Sequence, residues 1–198
     1  MNRPTSGWPA RTPQERIFWT TGVARRAAAD HFIRAAEIAI ERGHVRYTHE
    51  ISRALVALND GRRLESVFAR LLVVARQGSG DDLYLTLVDY ADGLVRLGRP
   101  GAADLFEEAI RIHPSNNVEA INRYAQHLLD RGDAEQALDV LDRMSREQRV
   151  MNGAAVFLRK EALQRLGRDT SSADAEADLI RHPGSDVQGG VPAPHLVH

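Results

Sequence analysis

The chain has 198 residues, of which 43% are hydrophobic and 27% charged, and its formal net charge is −1. The absence of cysteine excludes disulfide bonds and thiolate chemistry. No run of 18 apolar residues and no apolar N-terminal signal region is present, so we expect a cytoplasmic protein with no membrane association.

The charges are distributed unevenly along the chain. Residues 1–80 carry 13 arginines against 7 acidic residues, a balance of +6, whereas residues 81–198 carry 13 basic against 20 acidic residues, a balance of −7. This asymmetry leaves open a regulatory protein whose arginine-rich N-terminal half contacts nucleic acid or an acidic partner. The near-zero overall charge argues against nucleic acid. The basic residues are arginines except for Lys160, a bias typical of a GC-rich bacterial genome.

The N-terminal region is expected to contain a flexible segment, residues 1–12, and a helical cap, residues 13–43. Thr12 is a suitable N-cap and Pro13 a suitable first helical residue, and small apolar residues then recur at helical spacing as far as Gly43. Large apolar residues near this end either cap the following helices or bind a partner or a second copy, which would make a homodimer through the N-terminal helix. They are Trp8, Phe18 and Trp19.

Short amphipathic segments separated by turn residues fill the chain from residue 44 to residue 183. No window shows the alternating pattern of a strand, so the predicted fold is all-α. We predict helices over residues 44–59, 62–75, 83–97, 118–130, 134–144, 152–166 and 171–181, and one more between Gly98 and Pro114. The tail, residues 184–198, is rich in glycine and proline and is expected to be flexible.

Glycines recur at nearly constant spacing through these segments. They are predicted to close the first helix of each of four helix pairs, and they are 37, 34 and 35 residues apart: Gly61, Gly98, Gly132 and Gly167. Around the middle two glycines the sequences also agree in their small and aromatic residues, because Tyr90-Ala91 aligns with Tyr124-Ala125. A regular spacing of this length indicates a helical repeat.

Residues 83–146 resemble the tetratricopeptide repeat family, whose unit is a 34-residue pair of antiparallel helices. The small and turn residues of that unit are matched by Ala91, Gly98, Ala102, Ala109 and Pro114, and again by Ala125, Gly132 and Ala137. The resemblance implies a right-handed α-α superhelix, a TPR-like solenoid, of about four helix pairs with an extra N-terminal helix. The repeat domain would cover residues 44–183, with units near 47–76, 83–114, 117–146 and 152–183.

The sequence contains no motif typical of catalysis or phosphate binding. GxSxG, GxxxxGK[ST] and GxGxxG are all absent. His44 and His49 are five residues apart, which does not match the spacing of two metal ligands on one helix face. We therefore predict no enzymatic activity, no cofactor and no metal site.

In the tetratricopeptide family the first helices of successive units line a concave groove, so the resemblance implies which residues face a partner. The partner-binding residues implied in this way are Val88, Asp92, Arg96, Asn122, Gln126, Phe157 and Glu161, and Leu85, Asp130 and Arg165 lie on the same faces. We therefore expect a non-catalytic protein-protein interaction module that binds a peptide or helix of a partner protein. The layout is also similar to small bacterial secretion chaperones, which points to a chaperone or adaptor of a secretion or assembly pathway.

Overall fold

The computed structural model describes residues 22–45, 47–114 and 117–181. These ranges consist of helices and short connections and contain no strand, so the predicted all-α fold is confirmed. The chain divides into two compact units, Met1–Pro114 and Ser115–His198, which we call unit 1 and unit 2.

Some predictions fall outside the described residues. They concern the segment 1–12, the helix start at Thr12 and Pro13, the aromatic residues Trp8, Phe18 and Trp19, and the tail 184–198.

Unit 1 contains an initial helix followed by two helical hairpins. Helix α1 packs against α2 and α3, and α4 packs against α2, α3 and α5. Since the connections are short, consecutive helices run in opposite directions. The described helices of this unit are α1 (Gly22–Glu41), α2 (Thr48–Ala57), α3 (Gly61–Ala75), α4 (Gly80–Arg96) and α5 (Ala102–Ile112).

The core of unit 1 is built from apolar residues at helical spacing. The helix predicted over residues 62–75 has one apolar face that is buried in full: Leu64, Val67, Phe68, Leu71, Leu72 and Ala75. The Phe68 ring stacks on the Tyr90 ring of α4, with centroids 5.0 Å apart. Burial of this continuous face explains why α3 is helical as far as Ala75.

Unit 2 contains two further hairpins and one short helix between them. Helix α6 packs against α7, and α9 packs against α6, α7 and α10. Over the described residues the two units therefore supply four helix pairs preceded by α1, consistent with an α-α solenoid. The described helices of unit 2 are α6 (Val118–Asp130), α7 (Ala134–Leu141), α8 (Arg146–Met151), α9 (Gly153–Arg165) and α10 (Ser171–Arg181).

Helix α8 is not among the predicted helices. The helix expected over residues 134–144 ends at Leu141, and α8 begins five residues later, at Arg146. Ser145 and Gln148 form a capping box at its start, since each side chain binds the other residue's backbone N–H. The sequence pattern Ser-x-x-Gln was the signal from which this helix start was predictable.

Three glycines of the repeat end helices, as predicted, and one does not. Gly98, Gly132 and Gly167 follow α4, α6 and α9 with φ of 61°, 87° and 64°, a left-handed conformation in which glycine lacks the strain of a Cβ atom. The prediction for Gly61 was wrong, because Asn59 takes the left-handed position after α2 with φ of 56° and Gly61 begins α3. Asparagine tolerates this conformation better than most residues.

Candidate protein-interaction surface

Helices α6 and α9 of unit 2 lie side by side and run in the same direction. Near their N-terminal ends, Asn122 Nδ2 donates a hydrogen bond to Oδ1 of Asn152, the residue preceding α9, over 3.0 Å. Near their C-terminal ends, the guanidinium of Arg165 donates to the backbone carbonyl of Leu129. Residue numbers rise together at the two contacts, so α6 and α9 are parallel first helices of successive pairs.

A polar stripe follows one face of α6. Asn122, Gln126 and Asp130 are spaced by four residues, which places them one above the other. Gln126 is exposed, and its Nε2 donates to Asp130 Oδ1 over 2.9 Å. The Asn122 Oδ1 atom is buried, so this amide holds α6 against α9 and offers little to an incoming molecule.

A second stripe on α9 borders the first. Phe157, Glu161 and Arg165 are again spaced by four residues, and the contact of Arg165 with Leu129 places this stripe beside α6. Phe157 is 61% exposed, although it is a large apolar residue. Arg165 Nη2 donates to Glu161 Oε1 over 2.5 Å. The two stripes together form what we call the α6–α9 surface: Asn122, Gln126, Asp130, Phe157, Glu161 and Arg165.

Unit 1 carries an equivalent stripe on α4, which we call the α4 surface and define by Leu85, Asp92 and Arg96. Leu85 is 48% exposed, and Arg96 Nε lies 2.8 Å from Asp92 Oδ2. Val88 lies on the same helix but is only 1% exposed. Its side chain belongs to the core and offers no surface to a partner.

A buried carboxylate that we did not single out from the sequence lies beside the α4 surface. Asp89 Oδ2 accepts a hydrogen bond from the Thr48 hydroxyl over 2.5 Å, and its Oδ1 is 3.2 Å from His49 Nδ1. Ser52 donates to the backbone carbonyl of Asp89 over 2.8 Å. Because Thr48, His49 and Ser52 all belong to α2, this cluster joins α2 to α4. The run of polar residues on α2 was its signal in the sequence.

Metal clusters, open grooves and membrane-spanning helices are the other features of the described residues that bear on function. Within residues 22–45, 47–114 and 117–181, no three histidine, aspartate or glutamate side chains come together as a metal ion requires. An open groove of about 460 Å³ runs along α1, and both acidic and basic side chains line it, among them Asp30, Arg34 and Arg63. No helix in the part of the chain that the structure describes is long and apolar enough to cross a bilayer.

The comparison with protein families gives one match. Residues 100–156 match the family model described as tetratricopeptide repeat. The matched range runs from the connection before α5 to the first residues of α9, and so includes the whole of α6. Comparisons with curated proteins and with solved structures gave no match. Residues 100–156 are therefore similar to the tetratricopeptide repeat family, and the paired helices of the described residues agree with that similarity.

Proposed function

We propose that this chain is a non-catalytic interaction module that binds a peptide segment or a helix of another protein. Tetratricopeptide repeats generally mediate contacts between proteins. The observation that carries the proposal for this chain is the α6–α9 surface, on which the 61% exposed Phe157 lies in the same stripe of α9 as the polar residues Glu161 and Arg165. An exposed aromatic residue with a polar rim is typical of a protein-binding surface.

The residues that we propose to contact a partner are a revised form of the set implied by the family resemblance. Gln126, Phe157 and Glu161 in unit 2 are retained because their side chains are at least partly exposed, and Asp92 and Arg96 of the α4 surface are retained for the same reason. The two residues left out are Val88, which is buried, and Asn122, whose amide binds Asn152.

The specific form that we put forward is a bacterial cytoplasmic chaperone or adaptor of a secretion or assembly pathway. Such a pathway requires a client segment to be held without chemical change, which a surface of exposed apolar and paired polar groups suits. The alternative based on the arginine-rich N-terminal half has less support. Arg63 on α3 is paired with Asp30, and Arg76, which follows α3, is paired with Glu108; these pairs reduce the positive charge available to a partner.

The proposal is tested by blocking the α6–α9 surface. The chain has no cysteine, so Gln126→Cys introduces a single thiol on this surface, which a bulky maleimide can then modify. The matched control is Asp139→Cys, modified in the same way, since Asp139 is exposed on α7 of the same unit. Each protein is used to capture partners from a lysate of the source organism, and the captured proteins are identified by mass spectrometry.

We expect a protein that is retained by the unmodified chain and by the modified control to be lost from the modified Gln126→Cys chain. Obstruction of the surface removes any occupant whatever its chemistry. Retention of the same proteins by both modified chains would show that the α6–α9 surface is not the binding site.

A further inference from the structure

The charged residues on the α4 and α6–α9 surfaces already have partners on their own helices. In each case the two residues are four positions apart, and the two atoms lie within ion-pair or hydrogen-bond distance. The contacts are Arg96 with Asp92 at 2.8 Å, Arg165 with Glu161 at 2.5 Å and Gln126 with Asp130 at 2.9 Å.

This pairing limits what a charged partner can gain. A partner carboxylate approaching Arg165 must compete with Glu161, and a partner cation approaching Glu161 must compete with Arg165. At partly exposed positions, exchanging one ion pair for another changes the free energy little, and salt screens what remains. Charge complementarity therefore discriminates weakly between partners at these surfaces.

Apolar groups on the same surfaces have no such competitor. Phe157 keeps 61% of its surface exposed and Leu85 keeps 48%, each within a stripe whose charged members are paired. Removing this apolar area from water favours binding, and aromatic residues commonly dominate the affinity of a protein interface.

We propose that the α6–α9 surface recognises a segment with few charges that places a large aliphatic or aromatic side chain against Phe157. On the α4 surface, Leu85 is the corresponding exposed apolar residue and contacts a side chain of the same kind. This inference rests on the proposed function and names the chemistry of its partner, an apolar segment of another protein rather than an acidic or a basic one.

The test uses a phage-displayed library of random dodecapeptides, selected on the full chain. Synthetic versions of the selected peptides are then titrated against the wild type, against Phe157→Ala and against the control Met151→Ala. Met151 is also an exposed apolar residue of unit 2, but it lines a separate pocket between α8 and α10 with Val150 and Leu179. The chain modified with maleimide at Gln126→Cys shows whether a peptide binds at the α6–α9 surface.

We expect peptides enriched in Leu, Ile, Phe or Trp that lose affinity by about tenfold or more in Phe157→Ala. Their affinity should be little changed in Met151→Ala, and should vary less than about twofold between about 0.05 and 0.5 M NaCl.

The outcomes separate this inference from the proposed function. One outcome is that the selected peptides are rich in acidic or basic residues and lose affinity steeply as salt is added, yet are still blocked by the maleimide at Gln126→Cys. That result would support the α6–α9 surface as the binding site but would overturn the inference that its partner is apolar. Peptides whose affinity is unchanged in every variant and by the maleimide modification would overturn both proposals. Self-association of the full chain that Phe157→Ala abolishes would identify a second copy as the occupant and would also overturn the inference.

Discussion

Gly93 shows how a single residue fixes the approach of three helices in unit 1. It lies in α4, and a Cβ atom at this position would be 2.6 Å from Ser52 Oγ on α2 and 3.0 Å from Leu64 side-chain carbons on α3. Leu64 is fully buried, so its side chain has little room to move. Glycine is therefore required by close packing here, because the backbone is helical and φ is not positive.

We predict that Gly93→Ala destabilises unit 1 by about 1–3 kcal/mol, because α4 must move away from α2 and α3 to accept the methyl group. The better helix propensity of alanine offsets only part of this, about 0.5–1 kcal/mol. The change is measured by urea denaturation.

Gly80→Ala is the matched control for Gly93→Ala, since the nearest atom to a Cβ at position 80 is His113 Nε2 at 3.9 Å. We expect its unfolding free energy to stay within about 0.5 kcal/mol of the wild type. Equal effects of the two substitutions would contradict the packing role of Gly93.

At the scale of elements, α10 is held by a buried ion pair with α8. Arg149 donates to both carboxylate oxygens of Glu176, over 2.8 and 3.1 Å, and to the Met144 carbonyl over 2.6 Å. The side chains are only 11% and 5% exposed. The hydrogen bond with Glu176 raises the pKa of Arg149 above its ordinary value. Arg149 is therefore held in its charged form, and its guanidinium is the hydrogen-bonding partner of the buried Glu176 side chain.

Replacing only one member of this ion pair should lower the free energy of unfolding more than replacing both members. We predict that Arg149→Met lowers the free energy of unfolding of unit 2 by about 3 kcal/mol, because Glu176 is left buried without its cation. Arg149→Met combined with Glu176→Leu should recover most of that loss. Chemical denaturation followed by far-UV circular dichroism measures both variants. A double variant as unstable as the single one would show that the pair itself, rather than the unpaired charge, determines the stability.

The helices that the sequence predicted well are those whose pattern is local. The stripe on α3 and the bounds of α6 follow from spacing along one segment, and both agree with the structure. Helix α8 has only six residues, too short for a periodic pattern, so only its capping residues mark it. The prediction of four helix pairs needed only regular turn positions, which Gly98, Gly132 and Gly167 supply through their left-handed conformation.

At the scale of the whole molecule, the candidate sites depended on contacts between segments distant in sequence. The family resemblance assigned Gln126 and Glu161 to one surface, and these residues lie on α6 and α9, which pack against each other. It did not indicate that Val88 is buried or that Asn122 is bound to Asn152, thirty residues away, because those facts depend on how neighbouring helices pack. The Asp89 cluster was missed for the same reason, since Thr48 is 41 residues from Asp89.

The stability of the whole chain depends on pH, and His127 of α6 contributes to this dependence in a known direction. Burial lowers the pKa of His127 below 6.5, and Arg131 lowers it further, while Asp130 and Asp133 act in the opposite direction. The unfolded chain therefore binds a proton at a higher pH than the folded chain does. It follows that the contribution of His127 is present above about pH 6.5 and is lost as the pH falls towards its folded pKa.

We predict that the unfolding free energy of the wild type falls between about pH 7.5 and 5.5, and that His127→Gln shows a smaller fall over the same range. Urea denaturation of both proteins at both pH values gives the four unfolding free energies needed. The difference between the two falls isolates His127, because groups that are unchanged by the substitution contribute equally to both proteins. If the unfolding free energy of His127→Gln fell as much as that of the wild type or more, burial would not be lowering the pKa of His127 in the folded chain. A smaller fall would place His127 among the groups that must gain a proton when the repeat unfolds in acid.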